Sequence, residues 1–409
     1  MKNIFPRNSR RGFSQGYARR KPGNGNSRIL MLPLHRREPS NPSGMRIAID
    51  AHSIGSRAGG NETYFRELLR GLVLDQSDNQ YIVFQAGAAA LTEVAGDRRF
   101  SLVPIPKNPI VRMGITLPRL LRKLKPDVFH CQYVLPPFTR TKTVVTIHDL
   151  AHEHFPEFFP PLQGARMRRQ VRSTARRADH ITTVSKFSAG DIERTYGVPP
   201  EKISIAYQAP SERFRPRDKP TCREHLARTY GIDAPFLLYV GRIQQRKNLP
   251  RLVEALARLK LPEMKLVIAG KQDWQAEILF AKVREFGLEA SVVFPGYISD
   301  DDLPLFYNAA EVFVFPSVFE GFGLPVVESM ASGVPTITSH GSSLEEVAGD
   351  GALLVDPLDV SSIADAIQRV LGNAELKDQL IKRGLRRSAQ LKPENFSLKM
   401  LETYRTLAG

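Results

Sequence analysis

The sequence predicts an α/β fold with two doubly wound, Rossmann-like domains that face a common cleft. From Met45 onwards, short apolar runs alternate with amphipathic stretches, and this alternation is typical of parallel sheets covered by helices on both faces. The alternation occurs in two successive series, joined by a segment that carries Pro210, Pro216, Pro220 and Pro235. A length of 409 residues suits two domains of ordinary size.

The chain divides into four segments. Residues 1–44 are rich in Arg, Gly, Asn, Ser and Pro and show no periodicity, which predicts a disordered basic tail. Residues 45–215 hold the first series and residues 216–389 the second. Residues 390–409 hold a last helix, at about 394–407, which follows Pro393.

The elements of each series follow from their apolar period. In the first series, the predicted strands are 46–50, 81–85, 127–130, 143–147, 180–184 and 203–206, and the predicted helices are 61–74, 113–124, 163–177 and 186–196. In the second, the predicted strands are 236–240, 265–269, 291–294, 311–315, 334–338 and 352–355, and the predicted helices are 249–260, 274–287, 301–309, 325–332, 361–371 and 375–389. Ligands bind beyond the carboxyl ends of the strands in such sheets, so the residues directly after the strands are the functional candidates.

The positive charge is concentrated in the tail and the first domain. Lys and Arg outnumber acidic residues by ten to one in 1–44 and by 25 to 16 in 45–215, whereas 216–409 holds 23 basic and 25 acidic residues. An anionic partner, such as membrane phospholipid, a phosphorylated acceptor or nucleic acid, explains the net charge of +16. A solvated basic surface explains it equally well. The arginines of helix 163–177 could likewise face either an anionic membrane or solvent. We expect no nucleic-acid partner, because no binding motif is present and aromatic residues are not interleaved with the basic runs.

Cysteine usage and hydropathy indicate a cytoplasmic protein. Cys131 and Cys222 are widely spaced and form neither a disulfide framework nor a zinc pattern. No apolar run approaches the roughly 20 residues that a bilayer span needs, and the basic N-terminus lacks the apolar stretch of a secretory signal. Peripheral attachment to the inner face of the cell membrane through the basic half stays open.

A candidate phosphate site follows strand 236–240. Gly241, Arg242 and Lys247 lie between the end of that strand and the start of the next helix, where free backbone N–H groups favour anions. Arg242 offers a planar fork for two phosphate oxygens and Lys247 offers a point charge. We predict that both bind phosphate and that Lys247 lies at the surface of a cleft. A basic solvent-exposed loop would explain this segment, taken alone, equally well.

A candidate sugar site follows strand 311–315. Glu320 and Glu328 are separated by seven residues that include Gly321, Gly323 and Pro325. Glycine permits a close approach of the backbone to a ligand, and proline suits the first helical position. We therefore expect Glu320 before a helix and Glu328 about one turn inside it, with both carboxylates facing one ligand.

A histidine-rich segment follows strand 143–147. His148, His152 and His154 lie close to several acidic residues, which permits a metal site. The prolines at 156, 160 and 161 predict a loop that would not bring His148 and His152 together. We therefore predict no bound metal here.

These motifs resemble glycosyltransferase family 4, whose members are retaining enzymes of the GT-B fold. The resemblance rests on the run Glu320 to Glu328 with Gly241, Arg242 and Lys247, and it covers nearly all of 45–409. It implies that 45–215 binds the acceptor, that 216–389 binds the nucleotide-sugar donor, and that the C-terminal helix packs back on the first domain.

The resemblance also implies residue roles. Arg242 and Lys247 would bind the donor diphosphate, Glu320 the transferred sugar and Glu328 the ribose, while His148 would contact the sugar with its ring oriented by Asp149. The glycine loop before Asn61 would close over the phosphates, and Tyr297 with Ile298 would lie in the base-binding loop, although plain helix starts would look the same in both places. The predicted donor-binding residues are Gly59, Gly60, Gly241, Arg242, Lys247, Tyr297, Ile298, Glu320, Gly321, Phe322, Gly323, Leu324 and Glu328, and the predicted catalytic residues are His148, Glu320, Arg242 and Lys247.

The resulting functional prediction is a retaining hexosyltransferase of polysaccharide biosynthesis. Its donor is a nucleotide diphosphate sugar, GDP-mannose or a UDP-sugar, with mannose favoured because the His-Asp and glycine loops resemble those of mannosyltransferase-type members. Its acceptor is a glycan or a lipid-linked glycan. The resemblance implies no metal and no other cofactor, because the basic pair neutralises the leaving group. The alternatives are a nucleotide-sugar epimerase or hydrolase on the same fold and, less favoured, a nucleic-acid-binding protein.

Overall fold

The computed structural model describes residues 44–56, 59–87 and 91–409. The predicted disordered tail lies outside these ranges except for Gly44, and so do Arg57 and Ala58 of the glycine loop. Two parallel sheets, one in each predicted series, organise the described chain.

The first sheet has seven parallel strands in the order β3-β2-β1-β4-β5-β6-β7. Its strands are β1 (Arg46–Asp50), β2 (Gln80–Gln85), β3 (Phe100–Pro104), β4 (Val128–Gln132), β5 (Lys142–Thr146), β6 (His180–Thr183) and β7 (Ile203–Ile205). The helices of this half are α1 (Gly60–Leu74), α2 (Pro109–Val111), α3 (Leu117–Leu124), α4 (Ala151–His154), α5 (Pro161–Arg177) and α6 (Lys186–Tyr196), and a π-helical turn (Arg112–Thr116) joins α2 to α3. The strand order reverses between β1 and β4, which makes their carboxyl ends the ligand-binding crevice of this sheet.

The second sheet has six parallel strands in the order β10-β9-β8-β11-β12-β13. Its strands are β8 (Phe236–Val240), β9 (Lys265–Ala269), β10 (Val292–Gly296), β11 (Val312–Phe315), β12 (Thr336–Ser339) and β13 (Leu353–Val355). The helices of this half are α7 (Lys219–Tyr230), α8 (Leu249–Leu259), α9 (Glu277–Glu285), α10 (Leu303–Ala309), α11 (Leu324–Ala331), α12 (Ser343–Ala348), α13 (Val360–Gly372), α14 (Ala374–Ser388) and α15 (Pro393–Ala408). Here the order reverses between β8 and β11, the two strands that precede the candidate phosphate and sugar sites.

The last helix packs on the first sheet. Helix α15 contacts α1, β4 and β5, and Tyr404 of α15 bonds through its hydroxyl to Nδ1 of His130 over 2.7 Å. Burial of an apolar side chain contributes roughly 1.5–3 kcal/mol, and Met400 and Tyr404 are fully buried here. The predicted fold class is thus confirmed, including the return of the C-terminal helix.

Several elements escaped the sequence prediction, among them β3, α7 and the short helices α2, α4 and α12. Strand β3 is an edge strand with mostly exposed or half-buried residues, so it lacks the apolar run of a central strand. Helix α7 lies in the segment predicted as a linker because of Pro220. That proline occupies the first turn of the helix, where proline is tolerated, and Asp218 caps the turn by accepting a hydrogen bond of 3.0 Å from the backbone N of Thr221.

Candidate functional site

The core of the site is a buried ion cluster at the switch point of the second sheet. Glu320 follows β11, and its two carboxylate oxygens face different cations: Lys247 Nζ is bonded to Oε1, and Arg246 Nη1 lies 3.0 Å from Oε2. The 3₁₀ turn Gln245–Lys247 after β8 brings both bases to this point. Lys247 is 8% exposed and Glu320 is 6% exposed, so the expectation that Lys247 lies at a cleft surface is wrong.

Burial and pairing set the protonation of this cluster. Burial lowers the pKa of Lys247 to about 8, helped by the neighbouring Arg246. Burial alone would raise the pKa of Glu320, but the charges of Arg246 and Lys247 outweigh this effect and hold the pKa of Glu320 below its ordinary value. Glu320 is therefore ionised at neutral pH, and the cluster is a preformed set of paired charges in a dry environment, where charge interactions are strong.

Arg246 is a member of the cluster that the sequence argument missed. Besides Glu320, its Nη1 donates to the carbonyl of Phe319 over 3.1 Å and lies 3.8 Å from a carboxylate oxygen of Asp149. Asp149 belongs to the first half of the chain, so Arg246 links the two halves electrostatically. The sequence places Arg246 between Arg242 and Lys247 in a basic loop, but it does not indicate which way the Arg246 side chain points.

Arg242 lies apart from this ion pair. Its Nε is 3.3 Å from Asp273 Oδ2, and its side chain is 40% exposed. A Cβ built on Gly59 would lie 3.8 Å from Arg242 Cδ, so the glycine loop before α1 borders this arginine. Arg242 can thus turn its guanidinium towards an anion in the cleft at the expense of a partly screened ion pair.

The two glycines after Glu320 are required by protein packing. A Cβ on Gly321 would clash with the backbone carbonyl of His148, and one on Gly323 would clash with the side chain of Leu344. The carbonyl of Gly321 also accepts a hydrogen bond of 2.7 Å from Ser185 Oγ. The glycine pattern predicts a ligand beside both residues, whereas the neighbours in the structure are protein atoms of His148 and of Leu344 in α12. The predicted ligand contacts of Gly321, Phe322, Gly323 and Leu324 stay predictions.

Glu328 lies inside α11, as predicted, in a separate polar environment. Its Oε2 accepts a hydrogen bond of 2.9 Å from the Tyr307 hydroxyl, and the side chain is buried. Burial raises the pKa of Glu328 to about 7. Tyr307 was not predicted to take part, because its register on α10 gives no sign that its hydroxyl reaches α11.

His148 lies beside the ion cluster, where its backbone carbonyl faces Gly321, and one of its ring nitrogens is unpaired among the described residues. It follows β5, is 9% exposed, and its Nε2 has no hydrogen-bond partner among the described residues. Its ring packs edge-on against Tyr64, with centroids 4.9 Å apart, and burial lowers its pKa to about 4. The imidazole is therefore neutral at physiological pH, and its free nitrogen can bond to a ligand hydroxyl.

The neighbours of His148 differ from the prediction. Asp149 accepts a hydrogen bond of 3.1 Å from the backbone N of Ala151, the first residue of α4, and its other oxygen faces Arg246 rather than the His148 ring. Residues 151–154 form that short helix where a loop was predicted. His152 bonds to Tyr196 over 3.1 Å and His154 to Asp191 over 2.8 Å. Within 44–56, 59–87 and 91–409, no group of three or more His, Cys, Asp and Glu side chains could hold a metal ion.

Further contacts hold the two halves together beside the site. Glu346 of α12 accepts hydrogen bonds of 2.9 Å from the backbone N atoms of Lys186 and Phe187, at the first turn of α6, and a third from the Tyr207 hydroxyl. A carboxylate is favoured at a helix N-terminus. The predicted base-binding residues lie after β10, where Tyr297 is exposed and Ile298 is buried.

The sequence of this chain is similar to family models and to known proteins. Two family models match: "Glycosyltransferase Family 4" over residues 58–209 and "Glycosyl transferases group 1" over residues 225–387. The O-antigen chain mannosyltransferase B of Escherichia coli is 32% identical over 293 residues, which cover 70% of this chain and 76% of that protein. The MMP alpha-(1->4)-mannosyltransferase of Mycolicibacterium hassiacum is 32% identical over 53% of this chain and 51% of its own length.

Solved structures share the fold. Sucrose-phosphate synthase from Thermosynechococcus elongatus superposes with a TM-score of 0.73 at 24% identity, covering 89% of this chain and 99% of the other. Anabaena Alr3699/HepE in complex with UDP and glucose superposes with a TM-score of 0.72 at 16% identity, covering 88% of this chain and all of the other. At these identities the likeness concerns the fold.

Proposed function

The chain belongs to glycosyltransferase family 4 and is a hexosyltransferase, and from this premise we propose that it transfers mannose, with retention of the anomeric configuration, to a glycan or lipid-linked acceptor. The observation that carries the proposal is the buried cluster of Glu320 with Lys247 and Arg246, which lies beside His148 and its unpaired Nε2. Such a site offers cations for a diphosphate and hydrogen-bonding groups for sugar hydroxyls.

Each part of the site has a task in this reaction. The bond between the anomeric carbon and the diphosphate breaks as the acceptor oxygen bonds to that carbon on the same face, and the acceptor proton passes to a phosphate oxygen of the leaving nucleoside diphosphate. Lys247 and Arg242 stabilise the charge that develops on the diphosphate, which is the largest contribution a preorganised site makes. Glu320 and His148 hold the hydroxyls of the sugar as it becomes oxocarbenium-like, and Glu328 binds the ribose.

The donor can be identified by binding followed by product analysis. A thermal-shift panel of GDP-mannose, GDP, UDP-glucose, UDP-galactose and UDP should show the largest stabilisation with GDP-mannose, because binding to the folded state alone raises the melting temperature. NMR of the product then reports its anomeric configuration. Exclusive stabilisation by UDP-sugars would overturn the mannose assignment, and an inverted product would overturn retention. Turnover of the donor at the same rate with and without acceptor would indicate a hydrolase or epimerase.

We further propose that the reaction needs no metal ion, since basic side chains neutralise the leaving group. Transfer measured after EDTA treatment should equal that of the untreated protein. A loss of more than tenfold that Mg²⁺ or Mn²⁺ restores would show that a cation shares this task.

For the cell, we propose action in polysaccharide biosynthesis at the cytoplasmic face of the membrane, with peripheral attachment through α5. Arg169, Arg172 and Arg176 are exposed along this helix, and Leu162 at its start is 89% exposed. Each basic residue near an anionic surface contributes ~1 kcal/mol. No helix among the described residues is long and apolar enough to cross a membrane.

Sedimentation with phosphatidylglycerol vesicles tests this attachment. Binding at low salt should weaken in the variant Arg169→Glu/Arg176→Glu and with rising ionic strength. Equal recovery of both proteins in the supernatant at low salt would refute attachment without touching the proposed chemistry.

A further inference from the structure

A cavity lies in the first half of the chain, at the switch point of the first sheet. It has a volume of about 520 Å³ and is bounded by the ends of β1 and β4, by the loop after β1 and by the segment 107–113. Asp50 is the last residue of β1 and Gln132 the last of β4, so this cavity occupies the place where an open parallel sheet binds a ligand. The donor cluster described above belongs to the other sheet.

The cavity is lined by more positive than negative charge. Lys107, Arg112 and Arg166 line it, and the carboxylate of Asp50 is the only acidic side chain among its described lining residues. That carboxylate lies 3.1 Å from Nδ1 of His52. Lys107 and Arg166 are exposed at the rim.

Arg112 is the unusual member of this lining. It is 9% exposed, and its one side-chain hydrogen bond among the described residues is a 3.3 Å bond from Nη1 to the carbonyl of Lys107. Within the described part of the chain its Nε has no hydrogen-bond partner and no carboxylate lies within ion-pair distance, although Asp50 is close enough to act on it electrostatically.

A buried guanidinium without a counter-charge is energetically unfavourable. Burial accordingly lowers the pKa of Arg112, yet arginine stays protonated in proteins. The planar fork of arginine matches a phosphate or carboxylate group with two parallel hydrogen bonds. A ligand that carries such a group would pair the charge of Arg112 at hydrogen-bond distance.

The backbone holds Arg112 in an irregular segment. Asn108 caps α2 by accepting hydrogen bonds of 2.9 and 3.3 Å from the backbone N atoms of Ile110 and Val111. Arg112 then begins the π-helical turn that joins α2 to α3. Single π-helical turns occur frequently at functional sites.

The cavity also reaches the reaction centre. Tyr133 lines it, and the centroid of the Tyr133 ring lies 5.7 Å from that of His148. A ligand in the cavity is thus one side chain away from the residue that faces the donor sugar. We propose that the cavity selects an acceptor that carries an oxyanion, either a phosphate or a carboxylate. Arg112 would bind this group, with Lys107 and Arg166 at the rim. The inference rests on the proposed transfer reaction.

The test measures acceptor-side binding with the donor site filled. The full-length protein is saturated with the nucleoside diphosphate that the thermal-shift panel selects, so that added anions do not occupy the diphosphate site. Isothermal titration calorimetry then compares glucose 6-phosphate, glucuronate, glucose and inorganic phosphate. We expect at least one charged sugar to bind tenfold or more tightly than glucose, and the tighter of the two identifies the oxyanion.

Matched variants assign this preference to the cavity. Arg112→Met should reduce the preference for the charged sugar by about tenfold to a hundredfold, the range for a lost charged hydrogen bond. Arg119→Met, an exposed arginine of α3 outside the cavity, should leave it unchanged, and both should bind nucleotide like the parent protein. If Arg112→Met fails to fold, Lys107→Gln/Arg166→Gln, which changes only exposed rim residues, should lower the preference severalfold.

Three results would overturn the proposal. They are equal binding of charged and neutral sugars, a preference that survives in a folded Arg112→Met protein, and binding of inorganic phosphate with neither charged sugar, which would make the cavity a site for a free ion. Each leaves nucleotide binding intact. A protein that binds no nucleotide sugar at all would instead refute the proposed function.

Discussion

Replacement of Lys247 by methionine should separate the structural and the chemical role of the buried ion cluster. Methionine keeps the unbranched chain that packs near Phe315, whose ring centroid lies 5.1 Å from Nζ, and it removes the charge. In the native protein, Lys247 and Arg246 balance Glu320 and Asp149. In the variant, Arg246 faces both carboxylates, so the cluster carries one uncompensated negative charge.

The expected loss of stability follows from that charge. Removing one partner of a buried ion pair costs about 3–5 kcal/mol, and the lower end applies because Arg246 still lies 3.0 Å from Glu320. At roughly 2–4 °C per kcal/mol for an unfolding unit of 150–250 residues, the size of the half 216–389 that holds the cluster, the melting temperature of that half should fall by about 6–12 °C. The turnover number should fall by about 10²–10³, the loss that accompanies one missing group that stabilises a developing anion.

The double variant Lys247→Met/Glu320→Gln distinguishes the two effects. It returns the cluster to electrical neutrality, so scanning calorimetry should show recovery of at least half of the lost melting temperature, while transfer at saturating donor stays low. Lys382→Met, a change at a lysine whose side chain is 75% exposed on α14, is the matched control and should alter neither quantity. Near-normal turnover of Lys247→Met, or full recovery of turnover in the double variant, would refute the assignment of Lys247 to the diphosphate.

The other predictions concern the titrating groups of the site. Because the ammonium of Lys247 must be protonated and burial lowers its pKa to about 8, kcat/KM for the donor should decline as pH rises through about 8; a profile flat to pH 9.5 would contradict this. Burial raises the folded-state pKa of Glu328 to about 7, so the protein loses stability as pH rises from the ordinary carboxyl value through 7. The variant Glu328→Gln should therefore have a free energy of unfolding about 1–3 kcal/mol higher than the parent protein at pH 8. Its KM for the donor should rise. A gain of this variant over the parent protein that is the same at pH 4.5 and pH 8, measured by urea unfolding, would argue against the raised pKa. His148→Ala should lower kcat/KM by about tenfold, because one hydrogen bond is lost. Burial lowers the pKa of His148 to about 4, so the variant should have the same pH profile between 6 and 8 as the parent protein. A pH-dependent change in kcat/KM in that range that is present in the parent and absent in the variant would show a protonated histidine instead.

Much of the architecture could be read from local patterns. The apolar period fixes whether a segment is a strand or a helix, and glycine and proline mark where each ends, so the strands before the two donor motifs were identified within one or two residues at each end. The edge strand β3 and helix α7 escaped because their burial depends on neighbours elsewhere in the chain: most of β3 is exposed or half-buried, and in α7 only Cys222 and Leu226 are buried.

The functional site shows even more clearly which features local sequence patterns predict and which depend on tertiary packing. Sequence alone brought Glu320, Glu328, Lys247 and Arg242 to the carboxyl ends of β8 and β11, because a residue that directly follows a strand stays at its end. Only the tertiary structure decided that Lys247 is buried against Glu320, 73 residues away, that Arg246 rather than Arg242 completes the pair, and that Arg112 lines a cavity with no described carboxylate within ion-pair distance of it. Burial and ion pairing depend on which distant segments pack together, and these determine the pKa values and hence the chemistry that the residues can perform.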